Sequence, residues 1–273
     1  MFDRPDAATA AALARLYDLD LVEDPGDLDL YLALADRADG AVLELAAGSG
    51  RLAVPLAAAG HRVTAVDIDP AMLERAQRRA DAARVPATRF ETVEADLLGL
   101  RLPDAGRYRL AFIGLNSIML MADRERQREA FRTLAAHLAP GGLAAVDAWL
   151  PDAEDLARFD GRITLEWPRP DPETGAVVTK TGSAEYDPAT ATVTLTAIYE
   201  VGQQGEPPAR WVRRDRLRLI TADELAGFAD DAGLEVELVA GGYDLSPLGP
   251  GSERAVLVAV RRGRTAGARR TTG

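Results

Sequence analysis

Residues 41–51 read AVLELAAGSGR, a short apolar run that ends in two glycines and an arginine. The apolar part predicts a buried strand at 41–45, and a helix is predicted at 51–59. Glycines at such a turn let a ligand touch the backbone, and the helix that follows points its N-terminal amides at the same place. The segment therefore predicts a ligand site at the carboxyl end of a strand.

Strands and helices alternate along most of the remaining chain. Predicted strands lie at 61–66, 88–93, 109–115, 143–149, 234–239 and 254–260. Helices between them begin at caps such as Asp69, which is followed by Pro70, and Asp123, and one ends at the Pro-Gly-Gly of 140–142. Strands separated by helices form parallel sheets with right-handed crossovers. The predicted fold class is α/β, a Rossmann-like doubly wound seven-stranded sheet with an inserted antiparallel β layer.

The inserted layer is predicted at 161–220, where no helical pattern appears and Thr192 to Val201 alternate polar and apolar residues. It would serve as a substrate lid or a surface for a homodimer, although no residue marks a dimer contact. Residues 41–160 form the α/β core, and 221–262 supply a helix and strands that complete its sheet. Residues 1–40 form two N-terminal helices. The tail at 263–273 is expected to be disordered.

Composition excludes several classes of site. The chain has no cysteine and two histidines, so thiolate zinc sites, cysteine nucleophiles and histidine-rich metal sites are excluded and no metal is expected. The net charge of −11 argues against a nucleic-acid partner. No apolar run is long enough to span a membrane and no signal peptide is visible, so a cytoplasmic protein is expected. Lys180 is the only lysine.

Acidic residues follow the next two predicted strands. Asp67 ends the second strand, has no evident capping role and suits two vicinal ribose hydroxyls, whereas Asp69 is explained as a helix cap. Asp96 follows the third strand, where an acid beside an apolar residue suits an adenine amino group. Ile68 and Met72 either flank a purine ring or pack in the core.

A nicotinamide dinucleotide site is an alternative, because Gly48, Gly50 and Ala53 fit its glycine fingerprint, with Asp67 near the expected distance. Two features oppose it. Glu44 precedes the glycines, and the acidic turn at 94–96 has no role in that fingerprint.

The combined motifs resemble the class I S-adenosylmethionine-dependent methyltransferases over about residues 18–260. Residues 44–51 are similar to the first motif of that family, although Ala46-Ala47 replace the commoner Gly-Cys. Asp67, the Asp96-Leu97 pair and the turn at 138–142 match further family positions. The β-rich insert is similar to that of small-molecule members, including sugar N,N-dimethyltransferases and glycine N-methyltransferase.

The resemblance implies S-adenosylmethionine as cofactor and a small-molecule substrate. It assigns the methionine part to backbone groups and Glu44, the ribose to Asp67, the adenine to residues near Asp96, and a cover to two N-terminal tyrosines. Arg51 would either reach the cofactor carboxylate or be solvated. The implied cofactor-binding residues are Tyr17, Tyr31, Glu44, Ala46, Gly48, Gly50, Arg51, Asp67, Ile68, Met72, Asp96, Leu97, Leu115 and Asn116.

The expected reaction is an in-line displacement at the methyl carbon, for which alignment and exclusion of water matter most. A base is needed only when the nucleophile must first lose a proton. His61 and His137 are interpreted as structural. Candidate catalytic residues are Asp147, Tyr199, Tyr243 and Asp244, and candidate substrate contacts are Trp149 and Trp211. The alternative function is a S-adenosylmethionine-binding protein that transfers no methyl, either a cyclase, an eliminase or a regulatory binder.

Overall fold

The computed structural model describes residues 6–22, 25–202 and 207–263. The predicted disordered tail lies outside the described residues from position 264 onward. Within the described ranges, no helix combines the length and the apolar character needed to cross a membrane.

A seven-stranded sheet forms the centre of the molecule, with strand order β10-β11-β5-β4-β1-β2-β3. Its strands are β1 (Ala41–Leu45), β2 (Arg62–Asp67), β3 (Phe90–Glu94), β4 (Tyr108–Ile113), β5 (Leu138–Trp149), β10 (Leu234–Ala240) and β11 (Arg254–Arg261). The helices are α1 (Ala7–Asp20), α2 (Leu28–Ala38), α3 (Ala53–Ala58), α4 (Pro70–Ala82), α5 (Arg124–His137), α6 (Ala153–Arg158) and α7 (Ala222–Asp231), with a 3-10 turn at Ser117–Met121. The predicted doubly wound α/β fold is confirmed.

Strand direction departs from the prediction at one edge of this sheet. β1 to β5 pair in parallel, but β11 runs antiparallel to both β5 and β10. The reason is the connection at 241–253, which contains no helix and so returns the chain in the opposite direction. The sheet is therefore mixed rather than wholly parallel.

Helices cover both faces of the seven-stranded sheet. On one face Phe131 of α5 and Phe228 of α7 pack edge to face with ring centroids 6.0 Å apart. On the other face Leu34 of α2 and Leu56 of α3 are buried against the same sheet. β1 is consequently apolar on both faces except for Glu44, which is what a strand in the middle of such a sheet requires.

A separate four-stranded antiparallel sheet forms the predicted inserted layer. Its order is β6-β7-β8-β9, with β6 (Asp160–Pro170), β7 (Val177–Asp187), β8 (Thr192–Gly202) and β9 (Ala209–Arg218). The apolar side of α1 packs on one end of it through Leu16 and Leu19. The helix α6, which precedes β6, was not predicted. Asp152 and Asp155 form a capping box at its N-terminus.

Candidate functional site

The loop after β1 takes an unusual backbone path. Ala46, Gly48 and Gly50 have φ values of 58°, 54° and 75°. The amide of Ala47 donates to the carbonyl of Val66 at 2.9 Å, which ties the loop to the end of β2. A Cβ on Gly50 would lie 2.9 Å from Cβ of Ala76, so glycine lets the loop pack against α4. The helix α3 then begins at Ala53, two residues later than predicted, because of this path.

Glu44 lies beneath this loop and is buried. The backbone amide of Ala53 donates to its carboxyl group, but Oε2 has no hydrogen-bond partner in the described part of the chain. Burial raises the pKa of Glu44 to about 8, while the nearby Arg51 opposes that rise. An orphaned buried acceptor is costly, and an ammonium group of a ligand would satisfy it. Glu44 is therefore available to an amino group of a ligand, and its assignment to the cofactor stays a prediction.

Arg51 is not a solvated helix residue, one of the two predicted alternatives. Its guanidinium donates to both carboxylate oxygens of Asp27 at 2.6 and 2.5 Å, and Asp27 is fully buried. Such a two-point pair fixes the orientation of the guanidinium. Arg51 is thus held against the glycine loop by the residue that precedes α2.

Asp67 also has a structural role, which the sequence analysis did not predict. Its Oδ1 accepts from the amide of Asp69 at 2.9 Å, and its Oδ2 accepts from the amide of Gly48 at 2.7 Å. Burial raises the pKa of Asp67, and these backbone hydrogen bonds oppose the rise. Each carboxylate oxygen accepts more than one hydrogen bond, so capacity for ribose hydroxyls remains. Asp69 caps α4 as predicted, accepting from Ala71.

The residues expected to contact adenine lie in different environments. Met72 is buried under α1 beside Ala14, whereas 47% of Ile68 is exposed. Asp96 is exposed at the tip of β3, where it accepts from the amide of Leu98, and Leu97 is buried in the core. Of these residues, Ile68 and Asp96 are exposed enough to meet a ligand at the sheet edge.

Asp147 organises the turn after β4. Leu115 and Asn116 both have positive φ, at 48° and 63°, and the amide of Leu115 donates to Oδ1 of Asp147 at 2.8 Å. The hydroxyls of Tyr31 and Tyr243 donate to the same carboxylate at 2.8 and 3.0 Å. Asp147 is fully buried, so it supports this turn and is not placed to act on a substrate.

Two predicted tyrosine roles change with this geometry. Tyr31 is fully buried behind the turn, so it supports the floor of the site and does not cover the cofactor. Tyr243 lies beside Asp147, and burial together with that carboxylate raises its pKa well above the usual range. The hydroxyl of Tyr243 donates to Asp147, so this tyrosine acts here as a hydrogen-bond donor.

Tyr17 lies beside the glycine loop, and its role as a cover for the cofactor stays a prediction. It closes a small cavity whose other walls include Glu44, Gly48 and Leu115. Its helix is tied to this region by Asp18, which accepts from Oγ of Ser49 at 2.5 Å and from Nε of Arg75 at 2.6 Å. These contacts place α1 over the glycine loop.

Tyr17 also lines a much larger cavity of about 790 Å³. This second space lies between the end of α1, α6 and the inner face of the antiparallel sheet. Charged and polar side chains dominate its walls: Asp20, Arg158, Asp160, Arg162, Thr164, Glu166, Lys180, Ser183, Thr196, Tyr199, Arg213 and Asp215. Sequence reasoning singled out Tyr17 and Tyr199 from this wall and missed most of the others.

Tyr199 is the predicted catalytic candidate that reaches this cavity. Its hydroxyl donates to Oδ2 of Asp20 at 2.6 Å, and burial beside that carboxylate raises its pKa well above the usual range. Tyr199 is therefore a hydrogen-bond donor and not a base. Asp244 is exposed in a loop, where it accepts from the amide of Ser246, and lines neither cavity.

The two tryptophans proposed as substrate contacts also lie off the cavity wall. Trp211 packs in the apolar cluster under α1, and Trp149 is half-buried with its ring centroid 5.7 Å from that of Phe159. Phe159, which was not predicted, lines the cavity instead.

Both histidines have structural surroundings. Nε2 of His137 accepts from Leu102 at 3.1 Å and its Nδ1 lies 2.8 Å from the carbonyl of Thr133, while burial lowers its pKa. His61 lies 3.2 Å from Asp36. Among the described residues, no cluster of three or more histidine or acidic side chains could hold a metal ion.

Comparison with known proteins identifies the segment that contains the glycine loop. Residues 42–142 match the family described as methyltransferase domain. The chain is 28% identical to the cypemycin N-terminal methyltransferase of Streptomyces sp over 228 residues, 81% of this chain and 83% of that protein. The matched segment contains Gly48, Gly50 and Asp67, the residues shared with the nicotinamide fingerprint.

Solved structures share the whole fold. A S-adenosylmethionine-dependent methyltransferase from Clostridium acetobutylicum ATCC 824 superposes with a TM-score of 0.76 at 17% identity, covering 92% of this chain and 98% of that one. The sugar N-methyltransferase KedS8 from Streptoalloteichus sp ATCC 53650 gives 0.69 at 23% identity, covering 90% and 93%. The methyltransferase-domain match and the shared fold together identify this chain as a methyltransferase with S-adenosylmethionine as its cofactor.

Proposed function

We propose that this enzyme methylates a small-molecule acceptor of specialised metabolism that binds in the 790 Å³ cavity. One observation carries the proposal: Tyr17 lies on the wall of that cavity and on the wall of the small cavity over the glycine loop. An acceptor in the large cavity would therefore lie next to the cofactor site, with Tyr17 between the two.

The residues described above divide the work of holding the cofactor. Glu44 would accept from its amino group, the loop amides would meet its carboxylate, and Asp67 would accept from the ribose hydroxyls. When bound, the cofactor supplies a methyl group on a positively charged sulfur, already activated toward displacement. The protein then has to align the acceptor with that methyl and exclude water, which is the task of α1 and Tyr17.

The names of two similar proteins favour nitrogen as the acceptor atom. One is named cypemycin N-terminal methyltransferase and the other is a sugar N-methyltransferase. The tyrosines of the site agree with this choice. The hydroxyl of Tyr199 already donates to Asp20, so this tyrosine is not placed to deprotonate an alcohol, whereas an amine in its neutral form needs no strong base.

The proposal is tested with methyl-labelled S-adenosylmethionine and a panel of amines, amino sugars and short peptides. We expect labelled product and one S-adenosylhomocysteine per product for at least one acceptor. Product formed with the cofactor intact would instead support the alternative, a protein that binds S-adenosylmethionine without transferring methyl. Asp67→Ala is the control, since loss of the ribose hydrogen bonds should weaken cofactor affinity by about 1–3 kcal/mol.

A further inference from the structure

Three charged side chains meet on the floor of the large cavity. Nζ of Lys180 lies 2.8 Å from Oδ1 of Asp20 and 2.8 Å from Oε2 of Glu166. They come from α1, β6 and β7, and only 14% of the Lys180 side chain is exposed. Asp20 is the last residue of α1. A carboxylate at the C-terminus of a helix interacts unfavourably with the helix dipole, so helix stability does not explain an aspartate at this position.

β7, the strand beneath Glu166, has no side chain at the position where the Glu166 carboxylate lies. Gly182 lies inside β7, and a Cβ built on it would collide with Oε1 of Glu166. Glycine in a strand interior weakens the strand, so its position here needs a separate reason. The absence of a side chain at Gly182 lets the Glu166 carboxylate lie flat on the sheet inside the cavity.

The described part of the cavity wall carries four basic and four acidic side chains, but the two signs are distributed unevenly over it. Among the described charged side chains of the wall, each arginine has its own acidic partner, the pairs being Arg158 with Glu154, Arg162 with Asp160, and Arg213 with Asp215. Lys180 is instead shared between Asp20 and Glu166. The floor cluster of Asp20, Lys180 and Glu166 therefore carries one excess negative charge.

Of the two carboxylates, Glu166 is the one available to a ligand. Asp20 also accepts from Nε1 of Trp167 at 3.1 Å and from the hydroxyl of Tyr199 at 2.6 Å, and 20% of its side chain is exposed. The Glu166 side chain is 39% exposed. Asp20 thus anchors the floor cluster, and Glu166 presents the negative charge to the cavity.

We propose that the floor cluster is a subsite for a positively charged amine of the acceptor other than the atom that receives the methyl group, with Glu166 as the residue that contacts it. This rests on the proposed function, since it assigns the large cavity to the acceptor. Asp20 lies three residues after Tyr17 on α1, so the subsite is about one helical turn from the side chain that adjoins the cofactor. An ammonium group on an amino sugar and one at a peptide N-terminus offer the same chemistry.

The test measures binding by ligand-observed nuclear magnetic resonance, with and without S-adenosylhomocysteine. The probes are two matched pairs: glucosamine with N-acetylglucosamine, and alanylalanine amide with its N-acetyl derivative. We expect a free amine to bind and its acetylated counterpart to bind at least about tenfold more weakly, since acetylation removes the charge. The pair that shows this difference identifies the source of the ammonium group.

Two variants change the charge of the cluster in opposite directions. Glu166→Gln should weaken binding of the free amine about tenfold, and Lys180→Met should strengthen it by a similar factor. Glu185→Gln, on an exposed position of β7 outside the cavity wall, is the matched control and should leave binding unchanged. A purely structural role for the cluster would not make amine binding tighter in Lys180→Met.

Equal binding of the charged and acetylated probes, no binding of any amine, or wild-type amine affinity in Glu166→Gln would each overturn the subsite. The S-adenosylhomocysteine titration reports separately on the proposed function. Failure of that ligand to bind would reject the proposed function, and the titrations without it would still decide the subsite.

Discussion

The two sheets of this enzyme are stabilised by different kinds of contact. The seven-stranded sheet is covered on both faces by helices and lies within two clusters of buried apolar side chains. The four-stranded sheet has one small apolar cluster, where α1 covers its end, and charged groups line the rest of its inner face. Elsewhere it leaves Ile163 and Leu165 66% and 64% exposed.

This difference predicts which part of the molecule tolerates substitution and which part does not. The cofactor loop is positioned by backbone hydrogen bonds and close packing, which tolerate few substitutions. The large cavity is lined by partly exposed charged side chains, which can be exchanged at modest cost in stability. We therefore expect changes near the cofactor to affect folding and changes in the antiparallel layer to affect acceptor choice.

The largest effect is expected at Asp147, on the apolar sheet. Asp147→Ala would leave the hydroxyls of Tyr31 and Tyr243 and the amide of Leu115 without their acceptor in a buried site. We expect the free energy of unfolding to fall by about 3–5 kcal/mol, measured by urea denaturation. A loss below about 1 kcal/mol would show that the turn after β4 does not depend on this carboxylate.

The next effect distinguishes two glycines of the same loop. Gly50→Ala combines a positive φ with a clash against Ala76, and should destabilise the protein by about 2–4 kcal/mol. Gly48→Ala has the positive φ but no atom within 4 Å of the added Cβ, so a loss of about 1 kcal/mol is expected. Equal destabilisation of the two variants would mean that packing on α4 does not constrain the loop.

Glu44 gives the seven-stranded sheet a pH dependence. In the folded protein its pKa is raised to about 8, so the folded state keeps a proton that the unfolded chain loses near 4.5. Stability should therefore fall as pH rises from about 4.5 to about 8, by up to about 1.4 kcal/mol per pH unit from this group.

Glu44→Gln removes this titration. Its stability relative to the wild type should increase across the same pH interval and level off above it, as measured by thermal unfolding of the cofactor-free protein. Parallel stability curves for the two proteins would contradict a raised pKa at Glu44.

The smallest effect on folding is expected in the antiparallel layer. Asp20→Asn keeps the size of the side chain and one acceptor for Tyr199 but removes the charge that meets Lys180. Because the site is partly exposed, the free energy of unfolding should fall by only about 1 kcal/mol. A loss as large as that of Asp147→Ala would erase the distinction between the two sheets.

The regular parts of the fold were predictable because their signals are local. Alternating strands and helices, the cap at Asp69 and the polar–apolar alternation of β8 are all visible within short segments of sequence. α6 also had a local signal, the pairing of Asp152 with Asp155, which sequence analysis did not use. For the direction of β11, the local signal in the sequence was limited to the lack of a helix at 241–253.

The glycine loop after β1 was predictable for the same reason, whereas the residues that support it were not. Asp147 stands in sequence as an acid within an apolar strand, and its partners Tyr31 and Tyr243 are 116 and 96 residues away. Likewise, the sequence gives no reason for a glycine at position 182 in the middle of a strand. The structure gives one, because Glu166 lies directly above it. Contacts between distant segments decided these roles, and no spacing rule encodes them.

The position of the lone lysine has a practical consequence. Lys180 carries the only side-chain amine in 273 residues, and it lies on the wall of the large cavity. A reagent selective for amines that enters this space modifies one side chain. A fluorescent or isotopic reporter attached there would register the arrival of an acceptor directly, which gives this enzyme a built-in attachment point for a biosensor.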